Sequence, residues 1–384
     1  MTFPVSSLTG LRIVDLSRVL SGPYCTQILA DHGADVIKVE PPTGDETRTW
    51  GPPFEGDTAA YYLGINRNKR GISLDLSGDD GRRSLRRLLE NADVLIENFK
   101  CGTMERWGLG HDALEHEFPR LIYCRVSGFG ATGPLGGRPG YDAAVQAMSG
   151  IMSINGAKEG DPTRVGVPVV DMVTGLNATI GILLALQERA RSGRGQFVDM
   201  ALYDCALSIL HPYSANFFSG AGIPTRTGNA HPNITPYDIF ETATVPIFLA
   251  VGNDGQFMQL CRVLDAPQIA SDPSFATNGD RTAHRDALKG VLLGFMKTLD
   301  GVQLAARLIE AGVPCSQVLD VRQALEHPHA AYRQMVIREG DYCGVASPIK
   351  LTRTPATYRR PPPRLNEHAD SVLNTQLELW DQDA

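Results

Sequence analysis

The chain has 384 residues and a formal net charge of −7, because 36 Lys and Arg residues stand against 43 Asp and Glu residues. Hydrophobic residues make up 42% and charged residues 21% of the sequence, which is typical of globular proteins. At about 150 residues per domain, this length allows two or three domains. The acidic balance argues against a nucleic-acid partner, since such partners require a basic surface.

The N-terminal residues have neither the basic nor the apolar region that begins a signal peptide. The most apolar stretch, residues 172–186, is interrupted by Thr, Gly and Asn, and we predict that it is too short and too polar to span a bilayer. The seven cysteines are scattered and contain no Cys-x-x-Cys pair, and the nine histidines are scattered too. We therefore expect reduced thiols, no metal site, no membrane contact and a cytoplasmic location.

The first forty residues have the pattern of a strand, a helix and a second parallel strand. Residues 11–16 and 35–40 are apolar strands, and the helix between them, residues 24–31, follows Pro23 and ends before Gly33. Alternation continues with a helix over 79–91, a strand over 94–99, a helix over 111–117 and a strand over 121–126. This predicts a large, doubly wound, Rossmann-like α/β domain on a parallel sheet.

A long helix is predicted over residues 171–191, with Arg189 and Arg191 in its last turn and Gly193 after it. A strand over 196–202 follows, and then residues 223–236 are rich in Pro, Gly and Asn. Beyond this stretch we predict a strand over 247–251, helices over 255–264, 281–299 and 302–311, and a terminal helix over 369–381.

These patterns predict two domains. The large α/β domain spans residues 1–205 and is completed by residues 330–384, and a smaller α/β domain spans residues 237–318. Residues 206–236 and 319–329 are the expected linkers.

Residues 128–133 match the pattern Gly-x-Gly-x-x-Gly and follow a predicted strand. A dinucleotide fingerprint must open a helix, so that the pyrophosphate lies at its N-terminus. Pro134 and Pro139 follow at once, with further glycines, so no helix begins there. Glu40 ends the second strand, as a ribose-binding acid does, but it is a weak indication alone. The pattern therefore does not predict a nicotinamide cofactor.

Asp171 lies at the start of the long predicted helix, and its position allows two interpretations. The first is an N-cap aspartate, which is common and requires no function. The second is a nucleophile, because a helix N-terminus favours the anionic form and a carboxylate can attack an activated acyl carbon. The residues alone leave both open.

Basic and amide residues gather near predicted strand ends, where ligands of doubly wound sheets bind. Solvated surface charge is the alternative for any one of them. Together they indicate a phosphate-bearing ligand. The set comprises residues 66–70, Asn98, Phe99, Lys100, Arg106 and Arg138.

Many ordered motifs of the chain resemble those of the class III CoA-transferases, the CaiB/BaiF group that includes formyl-CoA transferase. The resemblance runs over nearly the whole length. The motifs are residues 10–16, 33–40, 66–70, 97–99, 104–106, 128–134, 139–142, 193–196 and 227–232. It implies an interlocked homodimer, acyl-CoA and carboxylate substrates, and no permanently bound cofactor, since the CoA thioester is itself a substrate.

The resemblance implies that Asp171 is the nucleophile of a ping-pong reaction through aspartyl anhydride and aspartyl-CoA thioester intermediates. The family's CoA contacts correspond to Leu74, Asn98, Phe99, Lys100, Arg106 and Arg138. Glycine-rich loops are expected to stabilise the oxyanions.

Two alternatives stay open beside the transferase. α-Methylacyl-CoA racemases share the fold, but their His before the Asp of a Gly-His-Asp motif is Tyr141 here, and a phenol is a poor general base at neutral pH. The other alternative is a non-catalytic CoA-binding module. The chain also departs from formyl-CoA transferase, since Leu20 stands where that enzyme has a glutamine in the first βα loop.

Residues 47–54 and 61–63 resemble the succinyl-CoA:dicarboxylate branch, which includes glutarate CoA-transferase. The resemblance implies that Arg48, Tyr61 and Tyr141 contact the substrate. Arg48 is suited to pair with a distal carboxylate through two hydrogen bonds. A structural role is the alternative for this arginine.

Overall fold

The computed structural model describes residues 6–373 and 380. It divides into two compact units. The first comprises Met1–Ser149, Val165–Ile209 and His329–Ala384, and the second comprises Gly150–Arg164 and Leu210–Pro328. The domain limits expected from the sequence stay predictions, and the units differ from them in joining Gly150–Arg164 to the second unit.

The strands in chain order are β1 (Arg12–Asp15), β2 (Asp35–Glu40), β3 (Phe54–Glu55), β4 (Thr58–Ala59), β5 (Lys69–Ser73), β6 (Val94–Glu97), β7 (Ile122–Ser127), β8 (Phe197–Ala201), β9 (Tyr237–Phe240), β10 (Ile247–Ala250), β11 (Cys315–Gln317), β12 (Val336–Glu339) and β13 (Tyr342–Val345). The helices are α1 (Ser21–Asp31), α2 (Ala60–Leu63), α3 (Asp79–Leu89), α4 (Thr103–Arg106), α5 (His111–Glu117), α6 (Asp142–Met148), α7 (Ile151–Ile154), α8 (Val169–Ser192), α9 (Leu202–Ser208), α10 (Tyr213–Phe218), α11 (Asp254–Val263), α12 (Pro267–Ala270), α13 (Asn278–Ala283), α14 (Arg285–Met296), α15 (Gly301–Glu310), α16 (Val321–Leu325), α17 (Pro328–Tyr332) and α18 (Ala369–Leu373). Two short 3₁₀ helices cover Glu46–Thr49 and Pro273–Phe275.

A six-stranded parallel sheet forms the centre of the first unit, with the strand order β5-β2-β1-β6-β7-β8. This confirms the predicted doubly wound α/β class. The chain winds outward from β1 to β5 on one side and from β6 to β8 on the other. The topological switch point, where such sheets bind ligands, therefore lies beyond the carboxyl ends of β1 and β6.

The central strands are apolar because both faces of the sheet are covered. Val14, Ile37 and Leu95 have at most 1% of their surface exposed and share one core cluster. The predicted strands over 11–16, 35–40, 94–99 and 121–126 are all present, with ends shifted by at most two residues.

The expectation that residues 66–70 belong to a ligand-binding loop is wrong. All five are buried, and they lead into the strand β5. Arg67 pairs with Asp31 at 2.6 Å, and Lys69 pairs with Asp15 at 3.1 Å. Their charges are neutralised inside the fold, since buried ions require a partner.

The second unit has its own core on the antiparallel sheet β11-β10-β9. The single helix predicted over 281–299 is two helices, α13 and α14, which meet at His284. Thr277 and Asp280 form a capping box that begins α13. Of the predicted terminal helix, only Ala369–Leu373 can be compared, because most of the remainder lies outside the described residues.

The apolar stretch 172–186 lies in α8, which among the described residues is long and apolar enough to cross a membrane by length and composition alone, so the prediction that it is too short and too polar is wrong. Core helices of soluble proteins pass the same test, and 44% of its apolar window is buried inside the protein.

Candidate active site

A cavity of about 240 Å³ opens at the switch point of the large sheet. Its walls come from the loops that follow β1, β6 and β7 and from the first turn of α8, all within the first unit. The lining comprises residues 18–21, 98–101, 126–128 and 137–141, with Glu46, Asp171 and Leu202.

The loop between β1 and α1 is held by contacts on several sides. Asn98 accepts a hydrogen bond from the backbone amide of Arg18 at 2.9 Å and donates one to its carbonyl at 2.7 Å. Lys38 donates to the carbonyl of Ser17 at 2.8 Å. Val19 adopts a φ of 69°, which is strained for a β-branched residue. Strained backbone of this kind persists where surrounding contacts determine it, often beside functional sites.

This loop brings Ser21, the first residue of α1, against the start of α8. Gly175 permits the close approach, because a Cβ there would lie 2.6 Å from the carbonyl oxygen of Ser21. The hydroxyl of Ser21 donates a hydrogen bond to Oδ1 of Asp171.

Asp171 is the third residue of α8 and is only 9% exposed. The N-cap of this helix is Pro168, so the interpretation of Asp171 as a capping aspartate is wrong. The carboxylate of Asp142 accepts from the amides of Val170 at 2.8 Å and Asp171 at 3.1 Å. Because Asp142 accepts the hydrogen bonds of the free backbone amides at the start of α8, the Asp171 carboxylate does not cap the helix. It is directed to the cavity that it lines.

Burial raises the pKa of Asp171 to about 6, the Ser21 hydrogen bond lowers it, and the charge of Asp142 raises it. None of these causes is a cation. The expected stabilisation of the anion at the helix N-terminus is therefore outweighed by burial. At neutral pH the group is still mostly ionised, and a carboxylate with a raised pKa and no cationic partner is suited to nucleophilic attack.

Asp142 is itself fixed by its neighbours. Gln146 donates to its Oδ1 at 2.5 Å, and the amide oxygen of Gln146 accepts from the amide of Val165 at 2.8 Å. Asp142 lies in one of the motifs of the sequence, which indicated no role for it, and Ser21 was not predicted. The only local indication of Ser21 was its place in the first βα turn, where it follows Leu20.

The glycine-rich segment after β7 forms one wall of the cavity. A Cβ at Gly128 would lie 2.7 Å from the backbone nitrogen of Gly140, so the segment closes on itself only without side chains. Between the end of β7 and Asp142 the segment contains no helix. This explains why the Gly-x-Gly-x-x-Gly pattern does not form a dinucleotide fingerprint.

Four of the six residues that the resemblance assigned to CoA line the cavity, namely Asn98, Phe99, Lys100 and Arg138. Leu74 is not among the lining residues but packs in the hydrophobic core, with 8% of its surface exposed. Arg106 is exposed and also outside the lining, and its guanidinium donates to Thr103 at 3.0 Å.

Arg48 does not line the cavity. Its Nε and Nη2 donate to the two carboxylate oxygens of Glu40 at 2.8 and 2.7 Å, and its guanidinium lies 3.7 Å from the ring centroid of Tyr62. With 7% of its surface exposed, Arg48 has the structural role that the sequence left open. Its position does not support the predicted contact with substrate. Glu40, as its partner, is not a free ribose-binding acid.

The two predicted substrate tyrosines differ in position. Tyr141 lines the cavity and is 57% exposed. Tyr61 lies outside the lining, but burial and then the charges of Asp171 and Asp142 raise its pKa to about 12.

The described residues include no group of three or more His, Cys, Asp or Glu side chains placed to hold a metal ion. The cavity itself carries three cations, Arg18, Lys100 and Arg138, against two acids, Glu46 and Asp171. This local positive balance contrasts with the net charge of −7 of the whole chain.

Comparison with known proteins gives a consistent result. The model of CoA-transferase family III matches residues 8–369. A succinate–glutarate CoA-transferase of Agrobacterium fabrum is 42% identical over 98% of this chain and 97% of its own. An acetyl-CoA:oxalate CoA-transferase of Acetobacter aceti is 40% identical over 96% of this chain and 95% of its own.

The crystal structure of a CAIB/BAIF family protein from Brucella suis superimposes with a TM-score of 0.86 and 42% sequence identity. It covers 96% of this chain and 98% of that one. The chain therefore belongs to CoA-transferase family III, and it is a CoA-transferase.

Proposed function

We propose that this enzyme transfers CoA from succinyl-CoA to a dicarboxylate acceptor, with Asp171 as the nucleophile. The observation that carries the proposal is the Asp171 carboxylate, which is buried in the switch-point cavity, touches Ser21 and forms no ion pair with a cation of the described residues. The names of similar relatives, which refer to succinate, glutarate and oxalate, support a dicarboxylate as acceptor.

In the first half of the reaction, CoA moves from the donor to Asp171 and the donor acid is released. A carboxylate oxygen of Asp171 attacks the thioester carbonyl, the C–S bond breaks, and CoA departs as a thiolate. The product on the enzyme is a mixed anhydride of Asp171 and the donor acid. The thiolate then attacks the aspartyl carbonyl, which forms an aspartyl-CoA thioester and releases succinate. The second half repeats these steps in reverse with the acceptor, and ionised Asp171 is regenerated.

Each tetrahedral intermediate carries an oxyanion that requires hydrogen-bond donors. The Ser21 hydroxyl is one such donor, since it already contacts Oδ1 of Asp171. The bare backbone of the Gly128 and Gly140 segment, which lines the same cavity, is a second source.

We further propose that CoA lies along Asn98, Phe99, Lys100 and Arg138. Lys100 and Arg138 are exposed cations of the lining, so they can neutralise phosphate charge while remaining hydrated. Leu74 and Arg106 are less suited to direct contact, because neither lines the cavity.

The expected homodimer is also a proposal. Leu176, Ile180, Leu183 and Leu184 leave 40–66% of their surface exposed and are spaced along α8 as one helical face. Burial of such a face against a second copy would remove it from water. Light scattering on the purified protein should give the mass of two chains.

Trapping of Asp171 tests the mechanism directly. Protein incubated with succinyl-CoA and then hydroxylamine should carry a hydroxamate on the peptide that contains Asp171, detectable by mass spectrometry. The Asp171→Asn protein should show no such adduct and no CoA transfer to glutarate or oxalate. Transfer that survives in Asp171→Asn would overturn the proposal, and solvent deuterium entering the α-carbon of an acyl-CoA without acceptor would support the racemase instead.

A further inference from the structure

Arg18, which is half-buried, differs from the buried arginines of the first unit. Arg48, Arg67 and Arg125 each have a carboxylate partner, at 2.7, 2.6 and 2.7 Å respectively. Arg18 lines the cavity, and no carboxylate of the described residues pairs with it. Its Nε atom is buried and finds no hydrogen-bond partner within the described part of the chain.

The position of this guanidinium is nevertheless defined. Both backbone polar groups of Arg18 are bonded to Asn98, at 2.9 and 2.7 Å. The guanidinium carbon lies 5.4 Å from the ring centroid of Phe99, which limits its orientation. A buried, oriented donor without a partner is costly in free energy, so its presence in a cavity suggests that an anionic ligand satisfies it.

The place of Arg18 favours the acyl end of the substrate over the phosphates of CoA. Ser21, which contacts Asp171, follows three residues later, and three residues span at most about 11 Å. Arg18 and Asp171 also line the same cavity, which places Arg18 on the wall beside the space for the acyl group. The long pantetheine arm places the phosphates far from that carbonyl, and the exposed Lys100 and Arg138 are available to them.

We propose that Arg18 binds the second carboxylate of the dicarboxylic acyl group and thereby selects dicarboxylic over monocarboxylic substrates. The inference rests on the proposed function. A carboxylate that approaches the guanidinium edge can accept from Nε and one Nη at the same time, which satisfies the buried Nε.

The test compares matched substrates that differ by one carboxylate. Transfer from succinyl-CoA to glutarate and from butyryl-CoA to pentanoate is measured for the wild type, Arg18→Met, Arg18→Gln and, as control, Lys100→Met. In Arg18→Met we expect kcat/KM for the dicarboxylic pair to fall roughly 100-fold, the equivalent of losing a charge-assisted hydrogen-bonded pair. The monocarboxylic pair should change less than about threefold, within the range of a conservative truncation. Lys100→Met should lower both pairs equally.

Two results overturn the inference. One is an equal loss for both pairs in Arg18→Met, which would assign Arg18 to CoA or to the loop, and the other is an unchanged preference for glutarate. If a thermal melt shows that Arg18→Met does not fold, the ratio of kcat/KM for the dicarboxylic pair to that for the monocarboxylic pair in Arg18→Gln tests the inference instead. A wild-type protein that transfers CoA to neither acceptor contradicts the proposed function instead.

Discussion

The carboxylate of Asp142 accepts a hydrogen bond of 3.1 Å from the backbone amide of Asp171, so one buried acid fixes the position of another. Asp142 also raises the pKa of Asp171 through its charge. The same residue therefore holds the start of α8 and makes the nucleophile more basic. Such an arrangement of like charges lowers stability, and catalytic sites commonly show this conflict.

The pH dependence of transfer should report the ionisation of Asp171. Since the pKa of Asp171 is raised to about 6, kcat/KM should fall tenfold per pH unit well below that value and level off above it. Ser21→Ala should shift this acidic limb to higher pH, because the Ser21 hydrogen bond lowers the pKa. Initial rates measured between pH 5 and 8 give the position of the acidic limb in the wild type and its shift in Ser21→Ala. If the acidic limb of the pH profile does not shift in Ser21→Ala, the assignment of this limb to Asp171 is contradicted.

Replacement of the nucleophile should stabilise the fold. The folded protein retains the Asp171 proton up to about pH 6, whereas the unfolded chain releases it near 3.8, the ordinary pKa of an aspartate. The stability contributed by this tighter proton binding is complete below pH 3.8 and is lost as the pH rises through about 6. Asp171→Asn avoids the loss, so it should exceed the wild type by up to about 3 kcal/mol at pH 7.

Urea unfolding at pH 4 and pH 7 measures this difference, which should be small at the lower pH. The exposed Asp112→Asn serves as control and should stay within about 0.5 kcal/mol of the wild type at both values. Equal stabilities of Asp171→Asn and the wild type at pH 7 would show that burial of the carboxylate is not unfavourable.

Asp142 is a positioning residue, and its charge and its hydrogen bonds can be separated. Asp142→Asn keeps an acceptor for the amides of α8 but removes the charge, so the acidic limb of the rate profile should move to lower pH. Asp142→Ala removes the cap as well and should cost about 1–2 kcal/mol of folding free energy. A pH profile unaltered in Asp142→Asn would contradict an electrostatic role.

Arg48 should matter for folding and not for the choice of acceptor. Arg48→Met leaves Glu40 buried without its partner, which should cost about 3–5 kcal/mol in urea unfolding. The double variant Arg48→Met with Glu40→Gln should recover part of this loss. The ratio of glutarate to pentanoate transfer should stay at the wild-type value. A selective loss of glutarate transfer would restore the role predicted from sequence.

The glycine wall predicts a steric effect on catalysis. A Cβ at Gly128 would meet the backbone of Gly140 at 2.7 Å, so Gly128→Ala must displace the cavity wall and should lower kcat/KM roughly tenfold or more. Gly290→Ala in α14 has open space around it and should leave activity unchanged. Equal kinetics of the two variants would show that the wall tolerates a shift.

Local patterns predicted most of the large sheet, because those elements have their own chemical indications, but β5 was not predicted as a strand. Apolar runs marked β1, β2, β6 and β7, and Gly193 marked the end of α8. The predicted single helix over 281–299 failed, since the capping box at Thr277 and the break at His284 were not recognised.

The sequence by itself determined the order of most strands and helices around the large sheet, the family, and the failure of the glycine pattern as a dinucleotide site. Only the tertiary structure decided which charges are available to a ligand. Arg48 and Arg67 resemble binding residues in sequence, yet both are paired inside the fold, while Nε of Arg18 finds no partner among the described residues. The physical reason is that partners are brought together over long separations, 150 residues for Ser21 and Asp171, which local propensity does not record.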